Sequence, residues 1–351
     1  MAAVLDFTKF TFTAEQIRTV NELLFDDILK APELTLLCTM YPNIVFDKEI
    51  GFIGEGGLVG KKRQNCDPVP QAWNVNTRKL VWEPKSWEIL IDQCFSELES
   101  NAAVYSLHTG RDIADFIDTD YMTILLEVLS ESIRKFIIRL FWFNDEDADN
   151  VTDGGFITDG IDVGYFDILN GFWKQIFLQT TANPKQLVSI SENAGTSYAA
   201  QELSSTNIKS YLQQLVFKAP ILLRNRANTV IACTQSFYDA YNLSLQGTAL
   251  ETMYANLVNG QKTLTYNGIP LIPVPFWDET IGAFENSGDK LHAPHRAVYL
   301  HKDLFAAGVD GDDSFDKLET WYNKDTRKVR TEAMGKADAK ILNPELFMAA
   351  F

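Results

Sequence analysis

The chain has 351 residues, of which 46% are hydrophobic and 12% aromatic, so it can bury a large core and is not disordered as a whole. Its formal net charge of −16 argues against a protein whose main task is to coat nucleic acid, because phosphate binding needs clustered Lys and Arg. An acidic protein can still enclose DNA without gripping it.

The sequence predicts neither secretion nor membrane insertion. Residues 1–5 run directly into Asp6, without the basic and apolar regions of a signal peptide. The most apolar stretch, 136–143, carries Arg139 and is far shorter than the roughly 20 residues of a membrane span.

The first part of the chain predicts a helix and a strand. Apolar residues recur on one face over 13–30, which indicates an amphipathic helix that ends near Pro32. Residues 34–46 are rich in apolar and β-branched side chains, which is typical of a strand.

Residues 48–84 form a long predicted extension with five glycines and a basic cluster. Its two limbs, around 50–59 and 73–82, can pair as a hairpin, but an isolated hairpin is only marginally stable in water. We therefore expect this segment to lie on another surface.

Two helices are predicted after the extension. The spacing of Trp87, Leu90, Ile91 and Cys94 predicts a short helix from Pro84 to about residue 99. The strongest periodic segment predicts a helix from residue 119 to 143, roughly 37 Å long.

The middle of the chain alternates predicted helices with one buried strand. Helices are predicted over 165–179, from the Ser204-Ser205-Thr206 cap to Pro220, and over 234–243, and the apolar run 229–233 predicts a strand.

The last third predicts several strands. Alternating prolines in 268–275 predict an extended segment at an edge or a mouth and exclude a central strand, because proline cannot donate a ladder hydrogen bond. Residues 296–301 and 317–343 are typical of strands, 310–316 of an acidic surface loop, and 344–347 of a small apolar tail.

In this order, the chain resembles the major capsid proteins of tailed bacteriophages, which have the Hong Kong 97-type fold shared with encapsulin shells. The resemblance covers nearly the whole chain and is one of architecture. Four pieces carry it. The first two are the extension 48–84 and the long helix 119–143. The third is the helix-to-strand passage 207–233, which is followed by Thr234-Gln235-Ser236-Phe237-Tyr238, and the fourth is Tyr266-Asn267-Gly268-Ile269-Pro270-Leu271-Ile272 with the late return 329–333 and 343–347.

The resemblance implies an α+β fold in five segments. These are an N-terminal arm and helix (1–33), an extended loop (34–86), a peripheral domain with spine helix 119–143 (87–180), an axial domain (181–316) and a return to the peripheral domain (317–351). The sequence departs from some relatives in that no long charged coiled-coil leader precedes residue 13. We therefore expect scaffolding to be a separate protein.

The resemblance also implies self-assembly into hexamers and pentamers of an icosahedral phage head, in the virion after assembly in the host cytoplasm. The head would enclose double-stranded DNA without sequence-specific binding, with portal and scaffolding proteins as partners and a cement protein as a further one. Loops 242–259 and 280–295 are expected near the ring axis, with Trp73, Trp82 and Trp87 at the base of the extension. The predicted inter-subunit residues of the extended loop are Gly54, Gly56, Gly57, Lys61, Lys62, Arg63, Trp73 and Trp82.

The motifs for catalysis, cofactors and metals are incomplete, so we predict none of the three. Residues 54–60 lack the GxGxxG spacing and are followed by basic residues and prolines instead of a helix. The acidic runs 145–149 and 310–314 lack the glycine and the glutamate of a calcium loop. Cysteines at 38, 66, 94 and 233 form no CxxC pair, which favours reduced thiols.

Two alternatives remain open at this stage. An encapsulin-like compartment would have the same fold and enclose protein instead of DNA. A cytosolic serine hydrolase would use Ser197 with His292 or His295, since residues 195–199 imitate a nucleophile elbow.

Overall fold

The computed structural model describes residues 32–44, 46, 49–53, 77–94, 120–148, 163–245, 254–256, 262–310, 319–323, 325–326 and 328–351. The predictions for helix 13–30, the tip of the extension and the acidic segment 311–316 lie outside these residues. The described part is α+β, as predicted.

The described helices include one that is much longer than the others. They are α1 (Pro32–Thr35), α2 (Asp120–Phe143), α3 (Phe172–Ala182), α4 (Ile208–Phe217), α5 (Ile221–Arg224), α6 (Gln235–Ser244) and α7 (Pro275–Phe284). The predicted spine helix is confirmed as α2, which is roughly 36 Å long at 1.5 Å per residue. It forms because its apolar residues repeat every three or four positions, so Ile133, Ile137 and Leu140 share a buried face.

The described strands vary from two to fourteen residues. They are β1 (Thr39–Tyr41), β2 (Glu49–Ile53), β3 (Thr77–Val81), β4 (Lys85–Cys94), β5 (Leu187–Val188), β6 (Thr229–Cys233), β7 (Tyr254–Asn256), β8 (Lys262–Tyr266), β9 (Ile269–Pro273), β10 (Ala297–His301), β11 (Phe305–Val309), β12 (Glu319–Asn323), β13 (Lys328–Ile341) and β14 (Met348–Ala350).

The predicted helix from Pro84 to residue 99 is wrong, because this segment contains the strand β4. Trp87, Ile89 and Ile91 also alternate along the chain, so the same residues fit a strand. The antiparallel partner β13 decides between the two, since it pairs with all of β4, from Cys94 opposite Lys328 to Lys85 opposite Ala337.

Two other helix and strand boundaries differ from prediction. The strand expected over 34–46 is reduced to β1, because Pro32 starts the short helix α1 and buries Leu34. The helix expected from residue 165 begins only at Phe172. Gly171 lies before it, and a Cβ there would come within 3.0 Å of the backbone of Phe141 and Asn144 at the end of α2.

The larger sheet has seven strands in the order β5-β14-β10-β6-β9-β8-β7. The prediction that the proline-rich segment lies at an edge is wrong, because β9 lies between β6 and β8. Its two sides are paired at staggered positions, Leu271–Pro273 with β6 and Ile269–Pro270 with β8, so the missing proline donors interrupt only short ladders. Asn267 and Gly268 have φ of 51° and 79° and form the tight turn that joins β8 to β9.

The second sheet has the order β1-β11-β13-β12, with β4 also paired to β13. The strands predicted over 317–343 are thus confirmed as β12 and β13. The hairpin predicted at the base of the extension is confirmed as β2 paired with β3, from Glu49 opposite Val81 to Ile53 opposite Thr77.

One continuous core joins α2, α3, α7 and both sheets. At its centre, the Trp142 ring lies 4.7 Å from Trp277 and 5.0 Å from Phe172, between ring centroids, and Trp173 lies 4.9 Å from Trp277. These spacings are those of favourable aromatic pairs, so the cluster fixes the spine helix against the sheets.

Candidate assembly surfaces

The extension is fixed to the subunit by Trp82, which directly follows β3. Its side chain is 2% exposed and packs with Ile44, Ala306 and Leu342. A Cβ at Gly308 would come within 2.9 Å of the Trp82 ring, so glycine leaves the space that this ring fills. Trp82 is therefore buried within its own subunit, and its role at a subunit interface stays a prediction.

A buried carboxylate holds the chain where it leaves the extension. Asp338 accepts hydrogen bonds from the backbone N–H of Glu83 at 2.7 Å and of Ala339 at 2.8 Å. Burial raises the pKa of Asp338, while these bonds and Lys340 at 3.6 Å favour the charged form. The base of the extension is thus positioned by packing and by hydrogen bonds, whereas Gly54, Gly56, Gly57, Lys61, Lys62, Arg63 and Trp73 lie outside the described residues.

The β4–β13 ribbon (Lys85–Cys94 paired with Lys328–Ala337) is attached to the spine helix on one face. Trp87 is 4% exposed, and its ring centroid lies 5.4 Å from that of Phe136 on α2. Gly335 lies opposite Trp87, and a Cβ there would come within 2.5 Å of the indole. The close approach of ring and backbone therefore requires glycine.

The other face of this ribbon exposes apolar side chains. Leu90 is 56% exposed and Met334 48% exposed, and their cross-strand neighbours are Glu332 and Glu88. Such a mixture of apolar and charged side chains on the exposed face of a ribbon is suited to contact with another protein. The sequence did contain a signal for it, the alternation of side chains along 85–91, which the helical spacing obscured.

The hydrolase alternative finds no catalytic geometry. Among the residues that the structure describes, the Ser197 hydroxyl is exposed and accepts a hydrogen bond from the backbone N–H of Ala200, and it bonds no histidine. The His295 ring contacts the Ser236 hydroxyl through Nδ1 at 2.7 Å and the Gln201 carbonyl through Nε2. Because a carbonyl only accepts, Nε2 carries the proton and His295 has a structural role.

A lysine from helix α3 pairs with two carboxylates of the first acidic run, 145–149. The Lys174 ammonium lies 2.9 Å from Asp145 and 3.0 Å from Asp147. Although burial disfavours its charge, these hydrogen bonds raise the pKa of Lys174 above its usual value. A lysine thus occupies the position that a cation would need.

Metal, thiol and membrane chemistry find no support in the described ranges. They contain no group of three or more His, Cys, Asp or Glu that could hold a metal ion, and no helix long and apolar enough to cross a membrane. Cys38 and Cys233 are buried and free, and burial raises the pKa of Cys38 to about 12, so this thiol is protonated and unreactive.

No protein-family model and no curated protein matches the sequence. Solved structures do match. A chain of Gordonia phage Cozz matches with a TM-score of 0.51 and 12% sequence identity, and the match covers 91% of this chain and 85% of that chain. A chain of Mycobacterium phage Ogopogo matches with a TM-score of 0.50 and 9% sequence identity, and the match covers 90% of each chain. A chain of the procapsid of satellite phage P4 covers 94% of this chain and 98% of its own at 10% identity, with a TM-score of 0.49.

At these identities the likeness establishes the fold. The chain has the Hong Kong 97-type capsid fold, as the sequence predicted.

Proposed function

We propose that this chain is the structural major capsid protein of a tailed bacteriophage. It assembles into hexamers and pentamers of an icosahedral head around double-stranded DNA, and it is not an enzyme. The observation that carries the proposal is a capsid fold in which the extension starts from a paired hairpin and the ribbon keeps one partly apolar face exposed. Two solved structures that match with a TM-score of at least 0.5 come from phages.

The surfaces of the subunit support assembly. The extension is fixed at its base by Trp82, so it can reach a neighbour without loosening its own subunit. The exposed Leu90 and Met334 give the ribbon an apolar surface that gains free energy when a neighbour covers it. The extended-loop residues from Gly54 to Trp73 belong to the same proposal, as do the division into five segments and the position of loops 242–259 and 280–295 near the ring axis.

The partners follow from this role. The subunit binds copies of itself, with portal and scaffolding proteins as further partners and a cement protein as a third. The net charge of −16 supports a shell that encloses DNA without gripping its phosphates.

The first test is the size of the particles that the purified chain forms. The monomer has a mass of 39.6 kDa, whereas rings and shells are many times heavier and light scattering with negative-stain microscopy separates them. We expect rings, tubes or closed shells. A chain that stays monomeric with and without its scaffolding protein contradicts the proposal.

The second test removes the extension. Deletion of residues 54–65 should leave a folded subunit that forms no shells, and replacement of the same residues by an equally long Gly/Ser linker is the matched control for length. Normal shells from the deletion variant would show that the extension does not join subunits.

The contents of the particles distinguish the encapsulin-like alternative, because protein cargo in place of DNA identifies it. The hydrolase alternative requires an activity that the Ser197→Ala variant loses.

A further inference from the structure

The charge of the chain is unevenly distributed. Residues 203–238 contain Lys209, Lys218, Arg224 and Arg226 and no Asp or Glu, although the whole chain has a net charge of −16. This segment includes α4, α5 and β6. One region of the subunit is therefore cationic while the rest is acidic.

The cationic region borders a groove of about 750 Å³. Arg224, Arg226 and Lys302 line it and are exposed, and no carboxylate lines it in the described part of the chain. None of the three forms an ion pair with a described residue. Three like charges at one groove repel each other, so an acidic ligand stabilises them.

Exposed apolar side chains accompany the groove: Phe217 lines it, and Ile221 and Leu222 are on the same short helix as the groove-lining Arg224. We call these three residues the apolar rim. These side chains are 54%, 65% and 63% exposed, and Phe217 also lines the groove. Apolar side chains next to arginine are typical of protein interfaces, whereas binding of a phosphate backbone needs only the cations. A protein ligand is therefore favoured over nucleic acid.

We propose that the groove binds the acidic segment 310–316 of a second copy of this chain. This inference rests on the proposed function. The segment carries four carboxylates, at Asp310, Asp312, Asp313 and Asp316, beside the apolar Phe315. It thus complements both the charge of the groove and its apolar rim.

The same subunit cannot supply this segment, because it leaves from the wrong end of β11. Lys302 precedes β11, whereas Asp310 directly follows it, which places about 16 Å of strand between groove and segment. From Asp310 the chain must reach Glu319, which lies opposite Glu332, five residues beyond the end of β11 along β13. To enter the groove, the chain would have to run back from Asp310 along the length of β11 and then forward again past β11 to Glu319, a path of roughly 50 Å. The nine residue steps from Asp310 to Glu319 span at most about 32 Å.

The contact therefore joins two different surfaces of neighbouring subunits. Such head-to-tail contacts form closed rings when the rotation between subunits closes. The groove lies at one end of β11 and Asp310, where the acidic segment begins, at the other end. The groove of each subunit can therefore bind the segment of the next subunit around a ring.

The experiment uses two complementary charge reversals in the full chain. One variant carries Arg224→Glu and Arg226→Glu in the groove, and the other carries Asp312→Arg and Asp313→Arg in the acidic segment. Each variant alone brings like charges together, whereas a one-to-one mixture lets the two variants alternate, which restores opposite charges at every contact of a hexamer and at all but one contact of a pentamer. Sedimentation velocity at low salt measures association, and thermal unfolding confirms the fold.

Each variant alone should associate at least about tenfold more weakly than the wild type, and the mixture should recover to within about threefold. The control Lys185→Glu with Lys209→Glu makes the same charge change at two exposed lysines outside the groove and should associate like the wild type. A groove variant that associates normally, or a mixture that fails to recover, overturns the inference.

Two further outcomes are informative. If the groove variant associates normally but no longer retains a short DNA duplex that the wild type binds, the groove is a nucleic-acid site and the inference is wrong. If the wild type and the mixture both stay monomeric with and without the scaffolding protein, both the proposed function and this inference are wrong. Assembly of the wild type without recovery in the mixture contradicts only the inference.

Discussion

The seven-stranded sheet and the β4–β13 ribbon differ in how far their apolar side chains are buried. In the sheet, every residue of β6 is buried, and all of β10 except His301 is buried as well. In the ribbon, only alternate residues such as Trp87 and Ala333 are buried, and Leu90 and Met334 on the other face are about half exposed. The sheet is completed within one subunit, whereas the ribbon exposes a surface that a neighbour can cover.

This contrast separates stability from assembly. Loss of a buried group in the sheet or its aromatic cluster should unfold the subunit, since its packing energy is intramolecular. Loss of an exposed apolar group on the ribbon should leave the monomer intact and weaken association.

The largest effect is expected for Trp142→Ala. Its ring is fully buried and contacts Phe172, Trp173 and Trp277, so its removal leaves a large cavity. We expect a loss of about 3–5 kcal/mol in the free energy of unfolding, measured by urea denaturation. Leu90→Ala is the matched ribbon variant and should change it by less than about 0.5 kcal/mol. Equal losses in the two variants would remove the contrast between the regions.

A smaller loss is expected for Gly335→Ala, which tests the one buried face of the ribbon. The added Cβ would meet the Trp87 indole at 2.5 Å, so ring or strand must move. We expect a loss of about 1–3 kcal/mol in the same urea experiment. The control is Gly164→Ala, since a Cβ there meets nothing within 4 Å. A neutral Gly335→Ala variant would show that the ribbon is not anchored through Trp87.

The third prediction concerns acidification and the sheet region. Burial lowers the pKa of His295 below its usual 6.5, with Glu192 opposing the shift. Below pH 6.5 the unfolded chain protonates His295 more readily than the folded chain does. The contribution of neutral His295 to the free energy of unfolding is therefore full above pH 6.5 and decreases as the pH falls below that value. The melting temperature of the wild type should fall more than that of His295→Gln between pH 7.5 and about 5.5. Parallel curves would mean that His295 titrates normally in the folded protein.

The smallest effect on stability is expected for the double variant Leu90→Ser and Met334→Ser. Both side chains are about half exposed, so the free energy of unfolding should change by less than about 0.5 kcal/mol for each substitution. Association should weaken nevertheless, which light scattering at increasing protein concentration measures. Leu243→Ser, 53% exposed at the end of α6, is the control outside the ribbon. Unchanged association would mean that no neighbour covers this face.

Elements with one dominant periodicity could be predicted from the sequence. The spine helix α2 and the fully buried strand β6 each satisfy one pattern, and the structure confirms both. Residues 87–91 satisfy both a helical and an alternating pattern, and only their pairing with β13, about 240 to 250 residues later in the chain, selects the strand. Likewise, its prolines argued against an interior position for β9. Its interior position could not be predicted because β6 and β8 pair with different residues of β9, which only the structure shows.

The assembly surfaces were predicted less completely than the fold. Glycines and a hairpin indicated the extension, because composition alone marks a segment without a core. For the ribbon, the alternation along 85–91 was a signal, but it did not show that Leu90 and Met334 share one face, because that depends on the pairing of β4 with β13. The groove had no such signal, since Arg224 and Lys302 come together only in the folded chain.

The position of β14 has a consequence for the kinetics of folding. β14 lies between β5 and β10, and Leu187 of β5 pairs with Ala349, so β5 joins the sheet only through a strand about 160 residues later in the chain. Contacts of such sequence separation form late, because the entropy of closing a long loop is lost before the contact is gained. β14 covers the edge of β10 across only about 50 residues, from Ala297 opposite Ala350, so it can protect that edge from pairing with other chains before β5 joins.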